Sequence, residues 1–190
     1  PFSRMNVLRV LDERLSDILV IQHWPRARPV LRVVEYACNG FPWLAASTLS
    51  SVVAYSYKWN QNTQHSLLIL NFGLLLDVTV VGILKIYVQR PRPQQNIDDQ
   101  AFEAPIADRY SFPSGHAARA AMLATLLCSL TPTPRMVGIV VASFVGWTRV
   151  ALARHHLSDA FGGLLIGFME GLLVLTTPLA VNNWMRRLFA

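Results

Sequence analysis

Three short polar clusters stand out in an apolar chain: Lys85 with Arg92-Pro93, then Pro113-Ser114-Gly115-His116, then Thr148-Arg149 with His155 and Asp159. Together they supply cations, two imidazoles, a carboxylate and a Ser-Gly pair, a set that suits a phosphate ester. Its non-bridging oxygens carry negative charge, which fixed cations hold, arginine bidentately. Lys85, Arg92 and Arg149 are the candidates. A helix beginning at Ser114-Gly115 adds free N–H donors and the positive end of its dipole. Glycine there lets a ligand approach the backbone. The two histidines divide the remaining labour: one attacks phosphorus and forms a phosphohistidine, the other protonates the departing oxygen. Asp159 follows His155 by four residues and can reach back along one helical turn. A carboxylate that accepts from one ring nitrogen leaves the other free to attack. His116 has no such partner close in sequence. His155 is therefore assigned as nucleophile, His116 as general acid and base, and Asp159 as the group that orients His155. No cysteine spacing of a metal site and no metal-ligand cluster is visible, so no metal or other cofactor is expected.

The elements that must position these groups are apolar. The chain of 190 residues is 53% hydrophobic and 15% charged, too few charges for an ordinary soluble domain. Five apolar runs, 43–57, 66–84, 117–130, 136–147 and 160–181, carry that excess. A spanning helix needs roughly 20 mostly apolar residues. The second and fifth runs reach that length; the others span only if their ends sit in the interfaces or the bundle. The reading is an all-α integral membrane bundle of five to six helices forming one domain. Residues 1–42 make its amphipathic N-terminal region and 43–190 its transmembrane catalytic core.

Arg4–Gln22 predicts an amphipathic helix, with Leu8, Leu11, Leu15, Ile18 and Leu19 on one stripe. It either lies in the membrane interface or packs against the bundle. Its charges and amphipathicity differ from a cleavable signal peptide. The prolines of "HWPRARPVLR" break it. Residues 89–111, rich in proline and acids, predict a long loop, of a length that is usually functional or disordered. Asp77 and Glu170 lie within spans, where acids are costly; Asp77 is expected to pair with Arg119. Counting spans from the long loop puts all three polar clusters at one membrane face. Of the seventeen Lys and Arg residues, only Lys58, Arg135, Arg186 and Arg187 fall on the other, which predicts a cytoplasmic site.

The ordered set Lys-x6-Arg-Pro, Pro-Ser-Gly-His and Thr-Arg-x5-His-x3-Asp resembles the type 2 phosphatidic acid phosphatase superfamily, with Thr148 in the place of that pattern's serine. The resemblance implies a helical bundle, metal-independent phosphatase activity on membrane lipid phosphates and the residue roles above. "CNGFPWL" before the first span resembles the polyisoprenoid (presqualene) diphosphate phosphatase subgroup. This implies isoprenoid diphosphate or phosphatidic acid as substrate and a place in the endoplasmic reticulum or nuclear envelope. No nucleic-acid partner is expected. The competing reading is a catalytically silent member that binds lipid phosphate or a partner protein.

Overall fold

Asparagine starts two of the helices. Asn39 Oδ1 accepts from Phe41 N at 3.0 Å and Asn60 Oδ1 from Thr63 N at 2.8 Å, satisfying first-turn donors that have no intrahelical partner. The computed structural model describes residues 2–21, 26–97, 99, 107–176 and 187. Its helices are α1 Phe2–Leu19, α2 Ala27–Ala37, α3 Gly40–Ser56, α4 Gln61–Val88, α5 Gly115–Leu130, α6 Arg135–Ala151 and α7 Leu157–Leu175.

The N-terminal region departs from expectation by forming two helices. Pro29 does not break α2 because it stands in the first turn, where a missing N–H costs nothing. The helix α4 is longer than its apolar run and, with α7, is long and apolar enough to cross a membrane. The predicted fifth run continues past Leu175, where residues 177–181 lie outside the described ones.

Helix α5 is the centre of the bundle and packs against α4, α6 and α7, while α3 pairs with α4. Its face is built from small residues: Ala117, Ala118, Ala120 and Ala121 are all buried. Helix α7 answers with Gly163, Gly167 and Gly171, four residues apart on one face. A Cβ added at Gly167 would lie 1.8 Å from the Ala118 carbonyl oxygen. The two backbones are therefore in contact.

Outside, α4, α6 and α7 expose Leu75, Ile83, Ile139, Val140, Phe168 and Leu173, the surface a bilayer solvates. Some polar groups inside are matched, while the Glu170 carboxylate oxygens have no hydrogen-bond partner among the described residues. Asn71 binds Ser47, Thr48 and Ser51 across the α3–α4 contact. The expected pair forms: Arg119 Nη2 lies 2.6 Å from Asp77 Oδ2, and Nη1 donates to the Cys38 carbonyl. Exposed Leu8, Leu11, Leu15 and Ile18 make the outer stripe of α1. Its opposite edge packs on α6 and α7, the second of the two placements considered from the sequence.

The α5–α7 contact gives a direct test. Gly167→Ala should destabilise the protein in detergent by about 1–3 kcal/mol or more through overpacking. Gly82→Ala, whose Cβ would meet nothing within 4 Å, should be neutral or gain up to about 1 kcal/mol from helix propensity. Equal melting temperatures for the two variants would contradict this packing.

Candidate active site

The long loop is closed at its base. Helix α4 ends at Gln89, whose left-handed φ of 51° turns the chain toward Arg90-Pro91-Arg92-Pro93. Ser111 N then donates to the Arg90 carbonyl at 2.8 Å, and Ser111 Oγ to the Pro91 carbonyl at 2.9 Å. This clamp sets Arg92 and the Ser111 carbonyl beside the start of α7. His155 Nδ1 lies 2.6 Å from the Ser111 carbonyl oxygen. A carbonyl only accepts, so Nδ1 carries the proton and Nε2 the lone pair.

His116, in the first turn of α5, is held in the same way. Its Nε2 lies 3.0 Å from the Glu35 carbonyl oxygen, so Nε2 donates and Nδ1 is the free nitrogen. Ser114 N donates to the Asp159 carbonyl at 3.1 Å, joining the starts of α5 and α7. Ser114 is fully buried, and its Oγ has no hydrogen-bond partner among the described residues.

Cations surround this pair. Burial first, then the charges of Arg149, Arg92 and Lys85, hold the His155 pKa well below the usual imidazole value, against a smaller opposing effect of the Ser111 carbonyl. Lys85 Nζ binds Asp108 at 2.5 Å. Arg149 Nη1 binds Glu35 Oε1 at 2.7 Å, and Arg154 Nε reaches the same oxygen at 3.2 Å. Burial pushes the Glu35 carboxyl up, but Arg149 and Arg154 outweigh it and hold the group below the usual range. Arg154 also binds Asp99 at 2.5 Å and the Ile97 carbonyl, tying the loop down. Among the described residues no group of three or more His, Cys, Asp or Glu side chains could hold a metal ion.

Residues 66–183 match the PAP2 superfamily, more than half of the chain. The chain belongs to the PAP2 superfamily. It is 30% identical over 131 residues to a probable lipid phosphate phosphatase beta of Arabidopsis thaliana, covering 54% of this chain and 61% of the relative. It is 28% identical over 187 residues to phosphatidylglycerophosphatase B of Bacillus subtilis, covering 89% and 84%. The crystal structure of a transmembrane PAP2 type phosphatidylglycerolphosphate phosphatase from Bacillus subtilis superposes with a TM-score of 0.68 at 25% identity, over 89% of this chain and 85% of that one. The fold is that of the membrane PAP2 phosphatases.

In this PAP2 chain the structure gathers Lys85, Arg92, Ser114, Gly115, His116, Arg149 and His155 at one end of the bundle. One expected contact is absent. Asp159 does not bind His155. Its Oδ2 accepts from His156 N at 2.8 Å and from His156 Nδ1 at 3.0 Å, and its Oδ1 from Arg90 Nη1 at 2.7 Å. The cause is local: Asp159 is the third residue of α7 and closes a capping box with His156. The orienting partner of His155 is a backbone carbonyl, which no side-chain pattern reveals. Glu35 also escaped the sequence reading. Its signal was present, a lone acid one turn after Leu31 on the buried face of α2.

A neutral His155 persists as pH falls through the ordinary histidine range, because its pKa lies below that of a free imidazole. The acid limb of kcat/KM, corrected for the second ionisation of the substrate phosphate, should therefore fall below pH 6.5. A limb at or above that value would contradict the assignment.

Proposed function

We propose that the protein is a membrane lipid phosphatase working through a phosphohistidine at His155. One observation carries this reading: a buried imidazole with its proton held on a carbonyl, its lone pair free, and three cations bearing on it. Lys85, Arg92 and Arg149 hold the non-bridging oxygens, together with Ser114 and the N–H groups at the start of α5. His155 Nε2 attacks phosphorus in line, and the bond to the leaving oxygen breaks. His116 takes up a proton at Nδ1 when the anionic substrate neutralises the surrounding cations, gives it to that oxygen and then takes one from the water that attacks the phosphohistidine. The second attack returns the electron pair to His155 and releases inorganic phosphate. Asp159 serves through the backbone, as the cap that fixes the start of α7.

The names of the relatives support lipid phosphate esters as the substrate class. The resemblance around "CNGFPWL" adds isoprenoid diphosphates to phosphatidic acid as the substrates to test first. We place the protein in the endoplasmic reticulum or nuclear envelope with its site facing the cytoplasm. The support is the concentration of Lys and Arg at the site end, against Lys58 in the α3–α4 turn and Arg135 at the start of α6 at the other. A cysteine at exposed Asn62, in a protein with Cys38 and Cys128 replaced, should be labelled only from the lumenal side of sealed vesicles. Labelling from the cytoplasmic side would reverse the orientation.

The two histidines separate by substrate. His155→Ala should abolish turnover of every substrate. His116→Ala should slow single-turnover release of the leaving group by about 10²–10⁴-fold for phosphatidic acid, which departs as a strongly basic alkoxide. The loss should be smaller for an isoprenyl diphosphate, whose leaving monophosphate is a weaker base. Equal losses would assign His116 to positioning phosphate, and phosphoenzyme formation by His155→Ala would exchange the roles.

A further inference from the structure

His156, next to the nucleophile, caps α7 but has no part in the chemistry described so far, yet it is more than nine-tenths buried. Its Nδ1 faces the Asp159 carboxylate at 3.0 Å. That carboxylate also takes the His156 backbone N–H and the Arg90 guanidinium, so it acts as an acceptor and fixes the proton of His156 on Nδ1. Nε2 has no partner among the described residues. His156 lines a polar cavity of about 260 Å³ whose wall includes Arg92. The cavity shares Arg92 with the phosphate cradle, and it has room for a group larger than a few waters.

The other wall comes from α1, whose helical period divides it into sectors. Leu8, Leu11, Leu15 and Ile18 point outward. Asp12 and Ser16 bind the start of α7, accepting from Ser158 N at 3.0 Å and Leu157 N at 2.8 Å. Arg9, Glu13 and Asp17 turn to the cavity.

The charges in the wall are matched. Arg9 binds Glu13 at 3.0 Å, Arg90 binds Asp12 at 2.6 Å and Asp159 at 2.7 Å, and Asp17 accepts from Gln95 at 2.8 Å. With Arg92 given to the transferred phosphate, Arg9 and Arg90 stand against Glu13 and Asp17, and a second phosphate finds no surplus of cations. A hydroxyl finds both acceptors and donors: His156 Nε2, Glu13 and Asp17 on one hand, Arg9 and the amides of Gln94 and Gln95 on the other.

We propose that this cavity is a head-group subsite that takes hydroxyls of the lipid beside the transferred phosphate, with His156 Nε2 accepting from one of them. The proposal rests on the lipid phosphatase reading and adds a substrate preference: lipid phosphates with a free hydroxyl near the phosphate over plain alkyl phosphates.

The test compares kcat/KM of the purified full chain in mixed micelles for two monoesters of equal chain length. One is a 1-acylglycerol 3-phosphate, with a free hydroxyl; the other is a plain alkyl phosphate. The wild-type protein should prefer the first by roughly tenfold, the worth of one hydrogen bond in a water-accessible site. His156→Ala should reduce that ratio to near one. His156 also sits at the cap of α7, so a second variant guards against misfolding: Gln94→Ala, in an exposed segment, should cut the same ratio several-fold. A purely structural role would lower both rates together and leave the ratio intact. A wild-type protein that hydrolyses both monoesters without preference, or variants that keep its ratio, would overturn the subsite alone. Failure to hydrolyse either monoester or an isoprenyl diphosphate assayed beside them would instead overturn the phosphatase reading on which it rests.

Discussion

The site is organised around one buried carboxylate. Glu35 stands between the guanidiniums of Arg149 and Arg154, and all three side chains are almost wholly buried. Two like charges this close tolerate each other only because the acid lies between them, and removing one partner of such a pair leaves a buried charge uncompensated, at a cost of about 3–5 kcal/mol. The same residue fixes His116 through its main-chain carbonyl. The end of α6 that carries Arg149 and the start of α5 that carries His116 are thus referred to one point on α2, a helix that precedes the first bundle helix. Arg154 extends the arrangement to Asp99 and the loop base, where Arg28 of α2 also binds Asp99 at 3.1 Å. The N-terminal region is therefore part of the active end.

Adjacent histidines acquire different characters from different acceptors. His155 gives its Nδ1 proton to the neutral carbonyl of Ser111, surrounded by cations that disfavour a second proton. His156 gives its Nδ1 proton to the carboxylate of Asp159. The first arrangement suits a nucleophile, which must stay neutral. The second suits a polar contact whose direction is set by an ionised group. The placement follows from the start of α7, where Asp159 is drawn to the backbone N–H of His156 and so is directed away from His155.

Precision at the site comes from the small-residue seam beneath it. Gly163 and Gly167 let α7 meet the backbone of α5, and the Ser114 N–H then reaches the Asp159 carbonyl. A bundle spaced by larger side chains would part the start of α5, with Ser114 and His116, from the start of α7, with His155. Van der Waals contact and interhelical hydrogen bonds hold such helices together, since lipid provides no hydrophobic drive between them.

The amino-acid sequence by itself determined the class of the fold, because apolar runs of spanning length have few alternatives. It also determined which cations and imidazoles share an end, because span parity alternates. The Asp77–Arg119 pair was legible for the same reason: a buried charge needs a partner at its own depth. Tertiary structure decided the partners. Whether Asp159 turns to His155 or His156 depends on where α7 starts, and helix starts shift by a residue or two without a change in pattern. The Ser111 and Glu35 carbonyls that fix the two imidazoles are main-chain atoms, identical at every position in the sequence. Only the path of the loop and the packing of α2 select which carbonyl faces which ring.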